Sequence, residues 1–252
     1  MPTAYAFSLH THFWPIVTRF GEAQLMLPSG LALVAWLAWA GERRTALLWV
    51  SLLSLAVALT TASKIAFIGW GVCLPSLNFT GVSGHAMHAA AVFPLLLRCL
   101  TASSGPPTRR VAVALGYAMA GLVAVSRVVI GAHSQSEAVA GFALGGAASA
   151  LALAFGTVPQ QHLPRWLLAG LIAAQLVNPA AAPSLPTHDM VPRLALAVSG
   201  HDRPYTRSMM LRRERDRAKA PQVVEAPASL PARGNPAYSA SAVVFFTSSI
   251  TA

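Results

Sequence analysis

Charge is what this sequence has least of. Only 10% of its 252 residues are Asp, Glu, Lys or Arg, while 55% are hydrophobic; a soluble domain carries about 25% charged residues. So little polar surface cannot coat a water-soluble globule. This excludes an ordinary cytosolic enzyme and indicates an integral membrane protein. Cysteine is almost absent as well: Cys73 and Cys99 flank one expected helix, lie near opposite membrane faces and cannot pair. Lysine occurs twice against sixteen arginines, a bias that with abundant alanine points to a bacterial genome. No charged segment leads into the first apolar stretch, which reads as a membrane anchor and not as a cleavable signal peptide.

The charge that is present is unevenly placed. Residues 1–182 hold nine Lys/Arg and three Asp/Glu, and residues 183–252 hold nine and five. The chain is thus expected to comprise a membrane domain over 1–182 and a polar Arg/Pro/Ala/Ser-rich tail over 183–252, with the composition of a disordered extension. Within that tail, H-D-R-P-Y-T-R at 201–207 is expected to lie against the membrane surface. The net charge of +10 raises the question of nucleic acid. A nucleic-acid patch would be uniformly basic and interleaved with aromatics, whereas the run R-R-E-R-D-R-A-K at 212–219 mixes both signs. No nucleic-acid partner is expected.

Apolar runs near the 20 residues that cross a bilayer recur at about 24–41, 46–63, 84–101, 111–129, 136–157 and 163–182. The expected fold is an all-α, polytopic bundle of about six transmembrane helices. Ahead of it, Phe13, Trp14, Ile16, Val17 and Phe20 form an apolar face suited to an interfacial helix. Arg43, Arg44, Arg98, Arg109, Arg110 and Arg165 fall in one set of alternate connections, against Arg19, Lys64 and Arg127 in the other. The positive-inside rule puts the larger set in the cytoplasm. Both termini then lie outside, the tail's charges falling too far from the last span to weigh heavily.

Ionisable residues at membrane depth are costly and are functional candidates by default. Lys64 closes the second span, His85 opens the third, and Arg127, His133 and Glu137 lie between the fourth and fifth, all on the outer side. Lys64 and Arg127 offer fixed positive charge, and phosphate suits a guanidinium fork. Ser83 and Gly84 precede a helix whose free N–H groups point toward an anion. His133 and Glu137, four apart, share a helix face. A carboxylate bonded to one imidazole nitrogen fixes the tautomer and makes the other a better nucleophile, and His85 could protonate a leaving oxygen. Such a phosphoryl-transfer site needs no metal and no cofactor.

S-R-x5-H-x3-E at Ser126, Arg127, His133 and Glu137, downstream of S-G-H at Ser83, Gly84 and His85, resembles the type-2 phosphatidic acid phosphatase superfamily. That group covers lipid phosphate phosphatases, undecaprenyl pyrophosphate phosphatases and vanadium haloperoxidases; its signature is K-x6-R-P, P-S-G-H and S-R-x5-H-x3-D. The resemblance spans roughly residues 64–141. It implies that His133 becomes a phosphohistidine, that Glu137 orients it, and that His85 is the general acid. It further implies that Lys64, Ser83, Gly84 and Arg127 are phosphate ligands. Three positions depart from the pattern: Gly71 and Val72 replace the Arg-Pro of the first motif, Val82 replaces the Pro of the second, and Glu137 replaces Asp. Arg19, on the same expected side, is one candidate to replace the missing cation.

Plainer readings stand beside these. Lys64 can be a snorkelling anchor, Glu137 a helix cap, and His85 a polar residue at a helix start. His88 shares a face with His85, so a metal site from His85, His88, His133 and Glu137 is conceivable, but Lys64 and Arg127 would repel the cation. Gly141, Gly145 and Gly146 form a small-residue packing face. His10, His12, His162, His188 and His201 read as partnerless surface groups.

The leading function is an integral membrane phosphatase of the bacterial inner membrane with its site facing outside. It would hydrolyse a lipid phosphate or diphosphate drawn from the bilayer. A lipid phosphotransferase on the same fold, and a non-catalytic binder or transporter of anionic lipid, are the alternatives. Oligomeric state is not legible.

Overall fold

The computed structural model describes residues 13–161, Pro164 and residues 187–219. Among these, all regular structure is helical apart from one isolated bridge between Leu74 and Phe79. A short helix over residues 13–19 (α1) turns at 20–22 into α2, Ala23–Trp39. There follow α3, Arg43–Trp70; α4, Gly84–Leu100; α5, Pro106–Val129; and α6, Gln135–Phe155. Among the described residues of the tail there are two helices: α7, Thr187–Ser199, and α8, Arg207–Lys219. Contacts group the chain into two compact units, Met1–Arg207 and Ser208–Ala252.

Among the described residues, four segments are long and apolar enough to cross a membrane: Phe13–Trp39, α3, α5 and α6. The helix α4, with 17 residues and Pro94 inside it, is shorter. The sixth expected span, 163–182, lies outside the described residues apart from Pro164. The second span is longer than its apolar run suggested. With no Gly-Pro break after Ser63, α3 continues to Trp70 and ends only where Gly71 adopts φ +70° as a left-handed cap. At 1.5 Å per residue its 28 residues measure about 42 Å, more than a hydrocarbon core of about 30 Å. Lys64 therefore does not close the helix but sits inside it, six residues before its end.

The centre of the bundle is α4. Ala86, Met87, Ala89, Ala90, Ala91, Val92 and Leu95 are fully or almost fully buried, because α2, α3, α5 and α6 all pack on it. Trp49 of α3 donates from its indole to the Ala91 carbonyl at 3.1 Å, and Ser149 of α6 donates to that of Ala90 at 2.8 Å. Outward-facing Leu31, Leu47, Leu55, Val111 and Val139 remain exposed, as lipid-facing side chains do. At the end away from Lys64, Thr45 and Thr157 exchange hydrogen bonds, Thr45 Oγ1 to Thr157 O at 2.8 Å and Thr157 N to Thr45 Oγ1 at 2.7 Å. Arg98 and Arg109, which flank the α4–α5 connection, lie within electrostatic reach of each other.

Close approach of α6 to α4 depends on Gly141 and Gly145. A Cβ on Gly145 would lie 1.9 Å from the Met87 carbonyl oxygen, and one on Gly141 2.3 Å from that of Ser83. Gly146, one position round the helix, meets only the Tyr117 ring at an ordinary 3.6 Å, so the packing face is narrower than the three glycines suggested. Overpacking against backbone costs about 1–3 kcal/mol or more. Gly145→Ala is therefore expected to lower the unfolding temperature in detergent clearly, while Gly146→Ala leaves it nearly unchanged; a thermal melt of the purified variants checks both.

Candidate phosphate-ester site

The turn between α5 and α6 is built by local sequence. Gly131, at φ +71°, lets the chain reverse after α5, and the amides of Ala132 and His133 close it on the Arg127 carbonyl. Ser134 then caps α6. Its Oγ accepts from Glu137 N at 3.3 Å while the Glu137 carboxylate accepts from Ser134 N at 3.1 Å, a reciprocal capping box. The plain reading of Glu137 as a helix cap is thus correct as far as it goes.

The same carboxylate does more. It is completely buried, and its Oε2 also accepts from His133 Nδ1 at 2.8 Å. Its Oε1 accepts from Thr80 N at 2.7 Å, Thr80 Oγ1 at 2.6 Å and Arg207 Nη2 at 2.5 Å. The bond through Nδ1 fixes the tautomer and makes Nε2 the imidazole nitrogen that remains for a substrate. The start of α4 is tied to this turn: Ser83 N donates to the Glu137 carbonyl at 3.1 Å, and Val82 N donates to Ser63 Oγ of α3 at 3.0 Å.

The expected cations converge on this end. A Cβ on Gly84 would lie 3.8 Å from Lys64 Nζ, so the ammonium sits over the first turn of α4, where free backbone N–H groups favour an anion. Arg127 Nη1 donates to Thr18 Oγ1 of α1 at 2.9 Å. His85 lies within electrostatic reach of Arg127, Lys64, His133 and His88, with α1's trailing Gly21 packed on its Cβ. Three buried polar atoms of this neighbourhood have no hydrogen-bond partner among the described residues: Ser83 Oγ, Arg127 Nε and Thr60 Oγ1. Buried polar groups are nearly always satisfied, so these three atoms have hydrogen-bonding capacity left to offer.

The structure therefore brings together His133, Glu137, His85, Lys64, Ser83, Gly84 and Arg127. It separates others. His88 turns back along its own helix, its Nδ1–H donating to the Gly84 carbonyl at 2.8 Å, and no three His, Cys, Asp or Glu side chains among the described residues form a metal cluster. Arg19 is exposed; Thr18 is the residue of that segment that touches Arg127. Both cysteines are free.

Sequence reading missed Thr80, Thr60 and above all Arg207, and misjudged His201. That histidine is not a partnerless surface group, since its Nδ1–H donates to the Gly69 carbonyl at 2.7 Å. The segment around it packs on the end of α3 because Tyr205 finds a flat, side-chain-free seat at Gly71. The signal was H-D-R-P-Y-T-R itself, two ring side chains and a proline close together in a tail otherwise rich in Arg, Pro, Ala and Ser.

Helices able to cross a membrane, with a carboxylate-bound histidine set among fixed cations at one end, define a class: membrane proteins equipped to handle phosphate esters. The sequence profile of the PAP2 superfamily matches residues 66–159. The chain is 36% identical over 200 residues to an uncharacterized 22.5 kDa protein in the cps region of Klebsiella pneumoniae, an alignment covering 77% of this chain and 96% of that protein. No solved structure matches. The chain belongs to the PAP2 superfamily, whose members are generally phosphatases.

Glu137→Gln keeps the shape of the side chain but removes its charge and one acceptor. Phosphatase turnover is expected to fall by about 10²–10⁴-fold, as when a histidine loses the carboxylate that sets its tautomer. Steady-state kinetics beside circular dichroism would check that activity falls while the helical fold persists.

Proposed function

We propose that this chain is an integral membrane phosphatase that hydrolyses a lipid phosphate or diphosphate through a phosphohistidine on His133, without a metal. The observation that carries the reading is the 2.8 Å bond from His133 Nδ1 to a fully buried Glu137, which leaves Nε2 as the ring nitrogen free to attack. In the first step Nε2 attacks phosphorus in line. The P–N bond forms as the bond to the leaving oxygen breaks, and His85 gives that oxygen its proton.

Lys64, Arg127, the Ser83 hydroxyl and the first N–H groups of α4 from Gly84 balance the charge on the equatorial oxygens. They supply with fixed protein charge what a metal supplies elsewhere. Water then attacks the phosphohistidine, His85 taking its proton, and the P–N bond breaks to release phosphate.

Location supports the proposed substrate class. The site lies at one end of helices that are apolar on their outer faces, so a lipid can stay in the bilayer while its head group reaches the cations. With the larger set of loop arginines in the cytoplasm, the site faces the outer side of a bacterial inner membrane.

Two outcomes are expected from phosphate-release assays on a panel of lipid phosphates. Hydrolysis persists in EDTA, and His133→Ala loses at least about 10³-fold in turnover, as removal of a covalent nucleophile does. Turnover retained in His133→Ala, or abolished by EDTA, would contradict the mechanism.

A further inference from the structure

The Glu137 carboxylate is completely buried, yet most of its donors carry no charge. Ser134 N, Thr80 N and Thr80 Oγ1 are neutral, and His133 must be neutral to attack phosphorus. Lys64, though within electrostatic reach of Glu137, sits over the start of α4. Arg207 alone among the described residues puts a permanent cation in direct contact with the carboxylate: Nη2 lies 2.5 Å from Glu137 Oε1 and 3.0 Å from Thr80 Oγ1. Hydrogen bonds from neutral donors already favour the ionised form; Arg207 adds a permanent charge in contact and fixes Oε1, which leaves Oε2 for His133 Nδ1.

Arg207 lies 70 residues from Glu137 in sequence and outside the stretch matched by the family profile. It is delivered by a strap, residues 201–207, fastened to the end of α3 at three points. His201 Nδ1–H donates to the Gly69 carbonyl at 2.7 Å, and Tyr205 N donates to the Ile68 carbonyl at 2.8 Å. The Tyr205 ring lies edge-on to Phe67, with centroids 5.4 Å apart, and covers Gly71 so closely that a Cβ there would meet it at 3.1 Å. Upstream, α7 packs along α3, with Ser199 and Ala195 against Gly69. Arg207 thus reaches Glu137 from a segment seated on the helix that carries Lys64.

We infer that Arg207 is a positioning residue for the phosphatase reaction: from the C-terminal segment it anchors the Glu137 carboxylate at Oε1 and keeps Oε2 aimed at His133, so residues 201–207 are an integral part of the active site. The inference rests on the phosphatase reading above. Because Arg207 contacts Glu137 and Thr80, it acts on turnover and not on substrate capture. This separates it from Lys64 and Arg127, which face the phosphate itself and whose loss is expected to raise KM as well as lower kcat.

The test uses the full-length protein in detergent or lipid, with wild type, Arg207→Ala, Arg207→Lys, Glu137→Gln and the Arg207→Ala/Glu137→Gln double variant. Arg207→Ala is expected to lose about 10²-fold in kcat, with KM changed less than about threefold. Arg207→Lys is expected to recover part of that loss, as is millimolar guanidinium added to Arg207→Ala. In the Glu137→Gln background, removing Arg207 should cost little more, because groups that act as one unit are not additive.

Guanidinium rescue with an unchanged melting temperature separates positioning from mere folding. Full kcat in Arg207→Ala, a loss confined to KM, or a fully additive double variant would overturn the inference. A wild type that releases no phosphate from any lipid phosphate would instead overturn the phosphatase reading on which it rests.

Discussion

One buried carboxylate organises the functional end of this protein. Glu137 accepts five hydrogen bonds, from His133 Nδ1, Ser134 N, Thr80 N, Thr80 Oγ1 and Arg207 Nη2, and has no exposed surface. A charge in that position is tolerated only when its lone pairs are met; leaving a buried ion unpartnered costs about 3–5 kcal/mol. The requirement therefore acts on three separate pieces of chain, one of which carries the nucleophile candidate. It holds the α5–α6 turn in register through the capping box, the 71–83 loop through Thr80, and the nucleophile candidate through Nδ1. It also holds the C-terminal segment through Arg207. The Ser83 amide, bound to the carbonyl of the same glutamate, adds the start of α4. Folding this end and orienting the histidine are one and the same process.

The rest of the bundle serves to keep that end rigid. Alanines on α4 and glycines on α6 bring two backbones into contact, which suits a membrane interior where packing, not hydrophobic burial, holds helices together. A tight α4–α6 pair fixes the distance between Ser83 and Glu137, and so between the anion-facing helix start and His133. The cations need no such tightness. Lys64 and Arg127 reach the site on long side chains, one held over α4, the other steadied by Thr18.

Much of this was legible in the sequence because its signals are local or scarce. The spacing from Ser126 to Glu137 fixes a helix end, a turn and a helix start, and a charge in an apolar chain identifies itself. The length of α3 was less legible: Lys64 interrupts an apolar run without interrupting a helix, since hydropathy and helix propensity are different properties. Residues 201–207 were legible only as a segment expected against the membrane surface, not as the source of a contact with Glu137. Contact between Arg207 and Glu137 depends on Tyr205 finding a seat on Gly71, and no periodicity couples two places so far apart. Reading Gly71 only as an absent arginine hid what the glycine does, which is to end α3 in a left-handed turn and leave room for a ring.

Phosphate transfer to one particular nitrogen is the claim on which this account stands or falls. A rapid-quench reaction with a labelled lipid phosphate, followed by peptide mapping and phosphorus NMR under alkaline conditions, reads it directly. The account predicts acid-labile phosphate on His133 attached at Nε2, because Nδ1 is committed to Glu137. Phosphate on Nδ1, on another residue, or no covalent phosphoenzyme during demonstrable turnover would contradict it.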